Sequence, residues 1–126
     1  MAMITPLKRA RGLGSAKEGP GHFLQQRITA AVNLLLLPFA VGLFARLAGA
    51  DLANVKATLS HPAIAIVLLV LIVSTAVHMR AGMQIIIEDY VHGEGAKVLA
   101  LLANTLYVAA VAAAAIFAVL KLSFGG

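Results

Sequence analysis

The sequence predicts an all-α membrane protein that crosses the bilayer three times. Three observations carry that expectation. First, 61% of the 126 residues are hydrophobic and only 12% are charged, whereas soluble domains average about 45–50% and about 25%. A chain this short has too much surface for its volume to hide that apolar content in a water-soluble core. Second, the apolar residues gather into three long runs, each able to cross a hydrocarbon layer of about 30 Å as a helix. Third, short polar or glycine-bearing links divide the runs. Cysteine is absent, which excludes disulfides, thiolate-held zinc, Cys-ligated iron–sulfur clusters and a C-x-x-C-H haem attachment. Any metal must therefore be held by His, Met or carboxylate.

Residues 1–21 read as a basic tail, with Lys8, Arg9, Arg11 and Lys17 against Glu18 and several Gly and Pro residues. Such a segment has no apolar run to bury and is expected to be flexible or loosely docked. A secretory signal is the competing reading, since Leu47-Ala48-Gly49-Ala50 loosely resembles a cleavage site. The region before the apolar run would then span roughly 27 residues, and two further spans follow, both against that reading. Nucleic-acid binding is also disfavoured, because no aromatic residues interleave the basic ones.

Residues 22–126 are expected to form the anchor domain, with spans at about 23–47, 62–88 and 97–121. The first contains the run Leu34 to Leu37, interrupted by Asn33, Pro38 and Gly42; a mid-span proline is tolerated in membrane helices. Gly49 to His61 reads as a short polar link. The second span opens at Pro62, a favoured first-turn residue, is apolar from Ala63 to Val77, and continues through His78, Arg80 and Gln84 to about Glu88. The turn from Asp89 to Gly95 ends it. The third span, Val98 to Leu120, includes an alanine-rich stretch from Ala109 to Ala115 that allows close helix packing. The Lys and Arg residues of the tail, with Arg27, place the N-terminus on the cytoplasmic or matrix side.

The second half of the second span carries the chemistry, because ionisable residues inside a membrane are costly and mark function. Helical geometry puts positions 78, 82, 85 and 89 on one stripe, with His78 and Asp89 roughly 16 Å apart along the axis. Gly82, one turn from His78, leaves room for a flat ligand or another helix. An imidazole at this depth suits haem ligation, and equally a hydrogen bond to a neighbouring helix. Tyr90 offers a hydroxyl at headgroup depth to a quinone carbonyl, or serves as an aromatic-belt anchor. His22, His61 and His92 fall at or beyond the span ends and are expected to be solvated.

The segment from His78 to Tyr90 reads H-x3-G-x6-D-Y, and His22 to Ala30 reads H-F-x-x-Q-R-x-T-A. Both, with the three-span topology, resemble the small hydrophobic membrane-anchor subunit of succinate dehydrogenase, complex II. The resemblance implies that His78 is an axial ligand of haem b and that Tyr90 hydrogen-bonds the ubiquinone head group, with Asp89 shaping that site. It implies that Arg27 lies near the haem propionates and quinone region; the alternative for Arg27 is an interfacial snorkelling anchor. Arg80 has no counterpart in the pattern.

The implied protein is half of a heterodimeric membrane-anchor bundle in succinate:ubiquinone oxidoreductase of the tricarboxylic acid cycle and respiratory chain. A second, different three-helix anchor subunit would share the haem, while a flavoprotein subunit and an iron–sulfur subunit would hold FAD and the clusters. The expected location is the bacterial inner membrane, with the N-terminus cytoplasmic. The alternatives are a quinol:fumarate reductase anchor, and a non-redox structural or transport subunit in which His78 and Arg80 serve packing or proton movement.

Overall fold

Backbone N–H and C=O groups find no water in hydrocarbon, so a spanning segment must satisfy them internally, as a helix does. The computed structural model describes residues 19–125 together with Pro6; Lys8, Arg9, Arg11, Lys17 and Glu18 lie outside the described residues. Three long helices, α1 (Gly19–Leu47), α3 (Pro62–Tyr90) and α4 (Glu94–Ser123), have the length and composition to cross a membrane, and a short α2 (Leu52–Leu59) lies between α1 and α3. No strand occurs among the described residues.

α1 runs unbroken through Pro38, as expected of a membrane helix. It begins at Gly19, so the last residues of the expected tail are helical. Its end is set by Gly49, which adopts φ +82°. That left-handed conformation strains any residue with a Cβ and turns the chain out of the helix. The link from Gly49 to His61 is more ordered than its composition implied. Asp51 occupies the N-cap position of α2, without a side-chain capping bond, and Val55 N–H donates to Asp51 O at 3.0 Å. α3 starts as expected, with Pro62 in its first turn and the His61 ring accepting from Ala63 N–H at 3.3 Å. It extends to Tyr90, past the expected stop at Glu88. Gly93, with φ −74°, occupies the N-cap position of α4, so this tight connection does not draw on glycine's left-handed freedom. Glu94 in the first turn and Lys121 in the last both complement the helix dipole of α4.

α3 is the central helix. It packs along α1 on one side and α4 on the other, while α1 and α4 make at most a marginal contact. The apolar core is thin: Ala40, Ala65, Leu68, Leu71, Ala81, Ile87 and Val108 are buried, with Ser74 among them. Even α3 leaves most of its apolar length uncovered, and α4 leaves nearly all of it. The Ala109–Ala115 stretch stays largely exposed, with Val111, Ala112 and Ala115 lining an apolar crevice beside Leu71 and Met79. Lipid tails are as apolar as these side chains, so burial against a neighbouring helix gains little, and packing with interhelical hydrogen bonds carries association.

Those bonds are well distributed. Ser74 Oγ donates to Thr29 O at 3.2 Å and Thr75 Oγ1 to Asn33 Oδ1 at 3.3 Å, joining α3 to α1. Arg80 Nε donates to Thr105 Oγ1 at 3.3 Å and Asn104 Nδ2 to Arg80 O at 3.1 Å, joining α3 to α4. Lys97 Nζ donates to Glu88 O at 3.1 Å and closes the α3–α4 turn. Replacing Asn104 with Leu is expected to weaken α3–α4 docking by about 0.6 kcal/mol, with roughly 1.7 kcal/mol as a ceiling for such bonds. The change should appear as a small fall in the thermal unfolding midpoint of the purified membrane complex.

Candidate functional site

His78 sits in the second half of α3, four residues after Ser74 and therefore on the same face. That face meets α1 at Thr29. His78 Nδ1 lies 3.1 Å from Thr29 Oγ1, which also reaches Gln25 O at 2.8 Å and Gln26 O at 3.2 Å within its own helix. The other ring nitrogen, Nε2, makes no hydrogen bond within the described residues and is not sealed in the interior. The ring is thus held at one nitrogen and unbonded at the other among the described residues.

The flank of the α1–α3 seam changes character along its length. Deep in the span it is an apolar hollow of about 420 Å³ lined by Val32, Val70, Val73 and Val77, with Thr29 and Ser74 at its edge. Toward the N-terminal end of α1 it becomes a cavity of about 490 Å³ whose polar lining is His22, Gln26, Gln84 and Glu88. Positions 70, 77, 81, 84 and 88 share one helical stripe, so the two hollows follow the same flank of α3. Gln84 Nε2 donates to Glu88 Oε1 at 2.8 Å. Gln26 Oε1 is buried without a hydrogen-bond partner, a costly condition for a polar atom in an apolar setting. A ligand apolar along one edge and polar along the other matches this gradient.

The donor set limits what metal could bind. Among the described residues no group of three His, Cys, Asp or Glu side chains could hold a metal ion. Iron bound to His78 would have to bring its own equatorial ligands, as a porphyrin does. The Nε2 left without a hydrogen bond fits such a group; His78 itself lines neither hollow of the flank.

The other expected site residues stand apart from His78. Asp89 and Tyr90 are exposed at the end of α3, and Tyr90, at 77% exposure, has its whole ring available to something outside the chain. Arg27 is exposed and stacks its guanidinium over Phe23, 5.0 Å from the ring centroid. It lies two residues from Thr29, about 200° around α1, and so on a different face from the contact with His78. His22, His61 and His92 are all exposed, as expected; His92 Nδ1 lies 3.0 Å from Tyr90 O. Arg80 belongs to the α3–α4 joint.

Gly82 differs from its expectation in part. The first span passes beside it, and a Cβ there would meet Gln26 Nε2 at 3.6 Å, an ordinary contact. Nothing among the described residues therefore requires glycine at that position. Ser74 was not singled out from the sequence, and Gln26 and Thr29 entered only as letters of the H-F-x-x-Q-R-x-T-A pattern, with no role of their own. The available signal was polar residues in otherwise apolar spans at helical spacing, Thr29 with Asn33 and Ser74 with His78.

Fold and site define a class: a multi-pass helical membrane anchor whose central span holds a half-buried imidazole bonded at one nitrogen. A family model described as succinate dehydrogenase/fumarate reductase transmembrane subunit matches residues 1–120. The chain is 32% identical over 125 residues to the succinate dehydrogenase hydrophobic membrane anchor subunit of Paracoccus denitrificans, covering 99% of this chain and 96% of that one. It is 34% identical over 83 residues to the subunit of the same name from Rickettsia bellii (strain RML369-C), covering 66% of each. No solved structure gives a significant match. The chain belongs to the succinate dehydrogenase/fumarate reductase transmembrane subunit family, as a hydrophobic membrane anchor subunit.

Because Gly82 has space for a methyl group within the chain, Gly82→Ala is expected to change the thermal stability of the haem-depleted anchor by less than about 1 kcal/mol. A larger loss, read as the unfolding midpoint in detergent, would place an outside helix rather than a ligand against this position.

Proposed function

We propose that this chain anchors succinate:ubiquinone oxidoreductase, shares a b-type haem with a partner anchor subunit, and contributes to the site of ubiquinone reduction. The observation that carries the proposal is His78, half-buried in the second half of α3, held at Nδ1 by Thr29 of α1 and without a hydrogen bond at Nε2 among the described residues. The other histidines, at positions 22, 61 and 92, are exposed at helix ends or links, so a second axial imidazole would come from the partner, the other three-helix anchor. When bound, the haem supplies reversible one-electron chemistry at a potential set by its ligands.

This chain's own contribution to quinone chemistry falls to Tyr90 and Asp89. The Tyr90 hydroxyl would donate to a quinone carbonyl oxygen, orienting the ring and favouring the negative charge that develops on reduction. Asp89, the adjacent residue, would shape the same site. Arg27 would provide charge-assisted hydrogen bonds to haem propionates, which requires its side chain to leave the ring of Phe23. FAD and the iron–sulfur clusters would reside in the flavoprotein and iron–sulfur subunits, consistent with the absence of cysteine here. The setting would be a bacterial inner membrane with the N-terminus cytoplasmic. The quinol:fumarate direction uses the same groups and falls within the family description; both relatives carry the succinate dehydrogenase name.

His78→Ala is expected to abolish the b-haem band in a dithionite-reduced minus oxidised spectrum of the assembled complex. An unaltered band would refute the ligation. Tyr90→Phe is expected to slow ubiquinone reduction at least about tenfold, since loss of one such donor costs up to 10²–10³ in rate. Succinate oxidation by an artificial acceptor should remain near normal, and equal loss of both activities would assign Tyr90 to assembly.

A further inference from the structure

His78 is held by more than a single contact. Ser74 and His78 stand one turn apart on α3 and both address Thr29 of α1. Ser74 Oγ donates to the Thr29 carbonyl oxygen at 3.2 Å, and His78 Nδ1 lies 3.1 Å from the Thr29 hydroxyl. Ser74 is buried and Thr29 half-buried, so little water competes for these groups. The backbone of Thr29 is thereby pinned against α3 while its side chain meets the ring.

Proton counting decides which partner donates. The Thr29 hydroxyl has one hydrogen, and two carbonyl oxygens of its own helix compete for it, Gln25 O at 2.8 Å being the nearer. With that hydrogen spent on Gln25 O, the lone pairs of Oγ1 face the imidazole, and Nδ1 must carry the proton. Nε2 is then left with its lone pair unengaged among the described residues. In the opposite arrangement Nδ1 would accept and Nε2 would carry an N–H, for which no acceptor exists among the described residues. An unpaired N–H in hydrocarbon is the more costly outcome.

We propose that Thr29, braced by Ser74, is the positioning residue for His78: its hydroxyl fixes the Nδ1–H tautomer and the ring orientation that present Nε2 to iron. The inference rests on His78 being a haem ligand, and adds what makes it one. A hydrogen bond from the non-ligating N–H of a metal-bound histidine fixes the ring and raises the basicity of the ligating nitrogen. Donation from Thr29 to Gln25 O polarises the hydroxyl and strengthens its acceptance from Nδ1–H. A more basic ligand favours ferric over ferrous iron, so Thr29 holds the haem potential down.

The test uses the complete complex purified from membranes, with the haem midpoint potential and the low-temperature EPR signal of the oxidised haem as readouts. Thr29→Val keeps the shape and removes the hydroxyl. It is expected to raise the potential by up to about 59 mV, a tenfold shift in a one-electron equilibrium, and to broaden or move the EPR signal as the ring loses its restraint. Thr29→Ser keeps the hydroxyl and should match the wild type in both. A Thr29→Val complex with wild-type potential and signal would overturn the inference, as would a Thr29→Ser complex shifted as far as Thr29→Val. His78→Ala separates the two levels of the argument: loss of the b-haem band upholds ligation whatever Thr29 does, and retention removes it. If Thr29→Val fails to assemble while His78→Ala assembles, Thr29 acts in packing rather than through the ring, and the inference falls.

Discussion

The constraint on which this structure depends is the solvent. In hydrocarbon, apolar surfaces gain little by meeting one another, whereas an unpaired polar group is expensive. α3 is accordingly tied to its neighbours by a few side-chain bonds: Ser74 and Thr75 donate to α1, Arg80 donates to Thr105 of α4, and Asn104 of α4 donates back to Arg80 O. The same constraint builds the site. His78 must find a partner at that depth and finds Thr29, so the bond that helps secure the helix pair also orients the imidazole.

The thin core follows from the same source. A chain that exposes Leu34 at 76% and Phe117 at 66% would aggregate in water, but lipid accepts such surfaces. The unpaired polar features are another matter. Gln26 Oε1 is buried without a partner, and the Tyr90 ring is exposed at the end of α3. Membership of a family of transmembrane anchor subunits agrees with a chain that covers so little of its own apolar surface.

Much of the fold was legible in the sequence. Length and hydropathy gave the three spans, Pro62 marked the start of α3, and the tolerance of membrane helices for proline let α1 continue through Pro38. What was missed has physical reasons. α2 lies in a polar link where no apolar run announces a helix. The end of α3 at Tyr90 rather than Glu88 is a matter of capping, and carbonyls of its last turn are taken by Val91 N–H and Lys97 Nζ. At the site, His78 stood out because an ionisable residue in an apolar span is conspicuous. Thr29 did not, because a hydroxyl inside a membrane helix ordinarily bonds its own backbone, and only the crossing of α1 over α3 reveals its second partner. Arg80 was visible as an anomaly, but its partners Asn104 and Thr105 lie more than twenty residues away.

The double use of the Thr29 hydroxyl also bears on how the chain is made. Thr29 and His78 are separated by 49 residues, so α1 enters the bilayer some seconds before its partner exists, at synthesis rates of about 5–20 residues per second. Through that interval the Thr29 hydroxyl is already satisfied by the Gln25 carbonyl one turn behind it. It can wait in lipid without penalty, keeping a lone pair in reserve. When α3 arrives, the imidazole adds a bond without breaking one, and the two helices dock with nothing to undo.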